Sequence, residues 1–202
     1  MKYIDLISDT SINELFEKID YRDDVYNHGM KHALNVVDNI EKLGKLLNIN
    51  SEELNYLKIA GYLHDIGRAD NDENHQVFSK NFVFNYLNSK IDSVWLDKIL
   101  LAIEKHHEKE NVSNLSLFEH ILLFADKMDF SYKRLKVKEE CFENNILDID
   151  FMIVDNKFIL ECRCIRSFLQ DELINSVKYQ KIIKRVQEFS SKLNLDYEIR
   201  FE

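Results

Sequence analysis

The sequence predicts a mainly α-helical body followed by a small α+β appendage, a three-stranded antiparallel sheet with one covering helix. Three observations lead there. From residue 12 to residue 127, apolar side chains recur at helical spacing in one window after another. The chain of 202 residues holds no proline and only four glycines, so long helices with short connections are expected. After about residue 145 the pattern changes to alternation, as in strands. This change divides the chain into a helical part, 1–143, and an appendage, 144–202.

The first helix is expected over 12–19, with Ser11 and Glu14 as a capping box and Ile12, Leu15, Phe16 and Ile19 on one face. A second runs to about Leu47, carrying His32, Val36, Ile40 and Leu43 on one side. His28 stands four residues before His32, and the two share a face if the helix has begun by then, which Gly29 leaves open. Ser51 is read as the cap of the next helix, with Glu52 and Glu53 in the first turn where the helix dipole favours acids. Its side of Leu54, Leu57, Ala60 and Gly61 leads to His64-Asp65, and Gly67 allows a sharp exit.

His75 opens a helix to about Leu87, and Ser93 is read as the cap of another that ends at His106-His107-Glu108. Ser116 and Glu119 form a second capping box. The apolar run Ile121 to Ala125 then enters Asp126, an acid placed to point inward, where it needs a partner. Beyond it, 148–154 and 157–164 read as a hairpin around Asp155-Asn156. Residues 170–192 read as a helix with Leu173, Val177, Ile182, Val186 and Phe189 apolar, and 195–201 as a last strand.

Composition narrows the class of function. A net charge of −9 argues against nucleic-acid polymers and anionic lipid, which require basic patches, but leaves room for a small anion held at a metal. No stretch reaches the ~20 apolar residues of a membrane span. The opening Met1-Lys2-Tyr3-Ile4-Asp5 lacks the apolar core of a signal peptide. Three cysteines without a framework spacing read as reduced thiols, with Cys162 and Cys164 as strand residues, so a cytoplasmic protein is expected.

Six of the seven histidines (28, 32, 64, 75, 106, 107) fall at helix ends or beside loops, while His120 lies inside a helix and reads as an ordinary surface or packing residue. Any one of them alone is unremarkable. The order His32, His64-Asp65, His75, His106-His107, Asp126 gives each hydrophobic helix one donor at one end, and packed helices gather such donors at a common centre.

The segments His32-Ala33-Leu34-Asn35-Val36-Val37, Ala60 to Arg68, His75, Ile103 to His107 and Leu123 to Lys127 resemble the HD superfamily of metal-dependent phosphohydrolases over roughly residues 22–135. The resemblance implies an HD-type helical bundle that hydrolyses a phosphomonoester or phosphodiester of a small nucleotide or related compound through a metal-activated water. It implies one or two divalent ions (Mn, Fe, Co, Ni or Zn). His32, His64, Asp65 and Asp126 match the ligands of one metal, and His75 and His106 match those of a second, with Asp65 bridging. His107 is either a further ligand or a supporting neighbour. The Gly-Tyr-Pro run of the HD-GYP branch does not follow it, which argues against cyclic di-GMP.

Tyr26-Asn27-His28-Gly29-Met30-Lys31-His32 is similar to the signature of cyclic-nucleotide phosphodiesterases, which implies a proton-donor role for His28; with the bridging Asp65 of the HD resemblance it makes the expected catalytic pair. Arg68, Lys127 and the more distant Arg134 are candidates for the phosphate oxygens. The rival expectation keeps the fold but makes the chain a catalytically silent, metal-stabilised regulatory module. The oligomeric state is left open.

Overall fold

A computed structural model describes residues 1–22, 28–134, 145–165 and 177–202. Among these are eight α-helices and three strands. The helices are α1 (Tyr3–Ile7), α2 (Thr10–Arg22), α3 (Met30–Leu46), α4 (Ser51–Leu63), α5 (His75–Leu87), α6 (Ser93–Lys105), α7 (Leu117–Lys127) and α8 (Val177–Lys192). The strands are β1 (Ile146–Val154), β2 (Lys157–Cys164) and β3 (Asp196–Phe201). Leu173, Cys141, the 143/144 boundary and the Tyr26-Asn27 part of the phosphodiesterase-like segment lie outside the described residues.

Helices α3, α4, α6 and α7 pack on one another, with α5 against α6. The expected faces are the buried ones: Val36, Ile40 and Leu43 of α3, Leu57 and Ala60 of α4, Ile99 and Ile103 of α6, and Ile121 to Ala125 of α7. Gly61 lets α3 and α4 approach closely, because a Cβ there would stand 2.4 Å from Ile40 Cδ1.

Three helix starts lie one or two residues ahead of the sequence reading. The amides of Ser11 and Ile12 donate to Asp9 Oδ1, the Glu53 amide to Asn50 Oδ1 and the Val94 amide to Asp92 Oδ1. Ser11, Ser51 and Ser93 are therefore inside their helices, because a carboxylate or amide just upstream reaches the free amides first. The Ser116–Glu119 box is present as expected.

The sheet is mixed, which corrects the antiparallel expectation. β1 and β2 pair antiparallel through a turn in which Asp155 and Asn156 both have positive φ (48° and 61°), the type I′ combination. β3 instead pairs parallel to β2. The connection explains this: α8 lies between them, and a helical crossover returns the chain in the same direction. Stacked rings hold sheet and body together, Phe124 of α7 lying 4.2 Å from Phe189 of α8 at 10°, and Phe158 of β2 packing edge-on to both. Burial of each such ring contributes about 1.5–3 kcal/mol.

Candidate metal centre

The helix ends deliver the predicted donors to one place. His32 leaves the first turn of α3, His64 follows the last residue of α4, and Asp65 stands beside it. His75 opens α5, His106 follows α6 and Asp126 ends α7. All six are buried, each at most 3% exposed.

The donors form two groups. His32, His64 and Asp126 make one, and Asp65, His75, His106 and His107 the other; in each, the donor atoms lie within 4.8 Å of one another. His32 Nε2 is 3.3 Å from His64 Nε2 and 3.2 Å from Asp126 Oδ1. His75 Nε2 is 3.2 Å from His106 Nε2. Asp65 reaches both groups with different oxygens: Oδ1 is 3.1 Å from His75 Nε2 and 3.4 Å from His106 Nε2, while Oδ2 is 3.6 Å from His64 Nε2 and 3.8 Å from His32 Nε2.

Each of the four buried rings is held through its other nitrogen. Nδ1 of His64, His75 and His106 donates to the carbonyls of Gly61 (2.8 Å), Asp72 (2.8 Å) and Ile103 (2.5 Å), and Nδ1 of His32 meets Asp129 Oδ2 at 2.6 Å. A proton on Nδ1 leaves the Nε2 lone pair directed inward, the arrangement that orients metal-binding histidines. Among the described residues, nothing donates a hydrogen bond to the buried Asp65 Oδ1. A buried carboxylate whose two oxygens each face two imidazole nitrogens fits a divalent cation, and the mixed N/O set suits Mn, Fe, Co, Ni or Zn.

Charge balance supports the same reading. Burial raises the Asp65 carboxyl, but the surrounding imidazoles and Arg68 outweigh it and hold it well below the usual carboxylate range. Burial raises Asp126 too, and Lys127, His32 and His64 hold it low. Burial keeps the His106 imidazole below its ordinary value, and it takes His107, with help from Lys127 and His106, down to about 2. His107 is partly buried, 4.4 Å from His106 and 4.7 Å from His75 between ring centres, so it belongs to the second group's rim.

Above the donors opens a cavity of about 630 Å³ lined in part by His28, Arg68, His107, Lys127 and Arg134. His28 lies before α3, not on it, so the helical i,i+4 geometry does not apply; its ring is nevertheless 5.9 Å from that of His32. Arg68 and Lys127, expected at phosphate, pair with two carboxylates of the donor groups: Arg68 Nε lies 2.8 Å from Asp65 Oδ2, and Lys127 Nζ contacts Asp126 Oδ2. Arg134 donates to the Asp129 carbonyl at 3.1 Å.

His120 is a packing residue, 1% exposed and edge-on to Phe189 at 5.8 Å. Asp129 escaped the sequence reading because it lies past the end of α7, where helical spacing no longer places a side chain.

Gly67 acts differently from the sequence reading. No glycine has positive φ; a Cβ at Gly67 would stand 2.3 Å from Ser79 N and 2.4 Å from His75 O. The residue is small so that the Asp65 turn can lie against the backbone of α5, and its amide donates to Ser79 Oγ at 2.8 Å.

Comparison with known proteins places residues 29–131 in the family described as HD domain. A similar solved structure is a predicted HD superfamily hydrolase from an uncultured Thermotogales bacterium, at 25% identity and a TM-score of 0.47. The match covers 58% of this chain and 65% of that one. No curated protein matches.

Proposed function

For a chain that belongs to the HD domain family, we propose a metal-dependent phosphohydrolase acting on a small nucleotide or related phosphate ester. The observation that carries the proposal is the pair of donor groups sharing Asp65 at the floor of a cation-lined cavity. His32, His64 and Asp126 would hold one divalent ion; His75 and His106 would hold a second, with Asp65 common to both and His107 at the edge.

A divalent ion bound there lowers the pKa of a bound water toward ~7 and neutralises charge on phosphoryl oxygens. The chain's own groups supply the rest. Asp129 fixes the His32 ring, Arg68 and Lys127 hold the carboxylates in place, and Arg134 is offered to the phosphate. His28, at the cavity wall, can carry a proton to the departing oxygen, a step worth roughly 10²–10⁴ in rate.

A cytoplasmic setting is supported by Cys162 and Cys164, which are free thiols. Among the described residues no helix is long and apolar enough to cross a membrane.

Purified protein incubated with bis(4-nitrophenyl) phosphate and Mn²⁺ tests the reading. Turnover that stops on chelation and returns with Mn²⁺ is expected. Failure to hydrolyse any phosphate ester with the metal demonstrably bound would overturn it in favour of a silent regulatory module.

A further inference from the structure

The cavity over the donors has a second wall that the chemistry above does not use. It is built by α8, which contributes Lys181, Lys184 and Arg185, with Lys109 beside them on the loop after His107. Residue 181 is one turn from both 184 and 185, three and four positions on, so it neighbours each of them on the helix surface. The rotation of that surface is fixed, because Ile182, Val186 and Phe189 are buried in the common core. Arg185 also clasps the loop, donating from Nη2 to the Glu108 carbonyl at 3.0 Å and pairing through Nη1 with Glu188 at 2.7 Å. The basic face of α8 is therefore held against the segment that carries His106 and His107.

The charge of the lining is unusual for a chain of net −9. Among the described residues, seven lysines and arginines line the cavity against three acids, Asp65, Asp126 and Asp129, all of them engaged at the donor centre. Arg68 and Lys127 offset two of those acids. Lys184 has Glu188 at 3.8 Å but is 61% exposed, so that pair is weak. One phosphoryl group at the centre brings about two negative charges, which the metals alone would balance.

We propose that Lys181 and Lys184 of α8, with Lys109 on the loop that Arg185 holds in place, form an anion subsite for a second phosphoryl group. The substrate is then a small molecule carrying at least two phosphates, not a monophosphate ester. The inference rests on the hydrolase reading for the place of the first phosphoryl group, and the helix of the appendage is its specificity element.

Calorimetry with Mn²⁺ in excess, comparing AMP with α,β-methylene-ADP, tests it on the wild type and on a Lys181→Gln, Lys184→Gln double variant. Both lysines are exposed, so the variant should fold. The wild type should bind the diphosphate at least about tenfold tighter than AMP, the size of one charge-assisted hydrogen bond, with a gap that shrinks in salt. In the variant the gap should fall to threefold or less, with AMP affinity and metal content unchanged. Equal binding of the two ligands by the wild type, or an undiminished gap in the variant, would overturn the inference. The two readings fail separately: turnover of phosphate esters with no such gap removes the subsite alone, whereas a lysine-dependent gap without any turnover removes the hydrolase and leaves the subsite.

Discussion

The two halves of the donor centre are built differently. In the first, His32 is braced by Asp129, a carboxylate 97 residues away in the chain that also accepts from Asn35. In the second, His75 and His106 are braced by carbonyls three residues upstream, and their meeting depends on one close approach at Gly67. One ring of the first half, His32, is thus locked by a contact across the fold, whereas His64 and both rings of the second half are held by local turns, the second half also through a gap only glycine fits. Carboxylate support raises imidazole basicity more than a carbonyl does. The difference teaches that the first half should be the tighter and the more robust.

The harshest way to break the comparison is Asp65→Ala, which removes the group common to both halves. Metal content measured by elemental analysis should fall to the background level, and turnover should vanish with it. His28→Ala should leave both halves filled while turnover drops roughly 10²–10⁴-fold. Equal metal loss in the His28 variant would remove that residue from proton delivery. Gly67→Ala should separate the halves: its Cβ pushes on the α5 backbone, so one metal equivalent is lost and the His32 group keeps its own. Asp129→Ala sharpens the contrast from the other side, weakening the first half about 10–100-fold and leaving the second nearly untouched, as a titration with Mn²⁺ would read.

The smallest effect uses His120, a buried histidine outside the centre whose two ring nitrogens have no hydrogen-bond partner among the described residues. Burial, with Lys192 and Arg185 nearby, lowers it to about 4 from the ordinary 6.5. The folded chain then binds fewer protons than the unfolded chain between those values. Its contribution is intact above about pH 6.5 and is lost as the pH falls toward 4. His120→Phe should flatten that part of the acid-unfolding profile relative to wild type; identical profiles would show the ring to be solvated.

The donors were legible because each sits where a hydrophobic period begins or ends, and periodicity locates helix boundaries to within a turn. Asp126 could be placed inward because Ile121 to Ala125 left no polar face for it. Helix caps were less legible: in Asn50-Ser51 and Asp92-Ser93 two capable residues are adjacent, and only geometry shows that the first one acts. Strand direction was not legible from alternation, which is the same for parallel and antiparallel pairs. The helix expected between the last two strands did carry the information, since a crossover of that length implies a parallel return. The basic face of α8 escaped because periodicity marks the side that is buried, whereas Lys181 and Lys184 lie on the other.

One shared carboxylate has a thermodynamic corollary. Were two cations held by the two donor groups, they would be linked through Asp65, and whatever factor the first imposed on the affinity of the second, the second would return to the first. A change far from either group that merely turns the plane of that carboxylate would move affinity from one ion to the other without altering a single ligand.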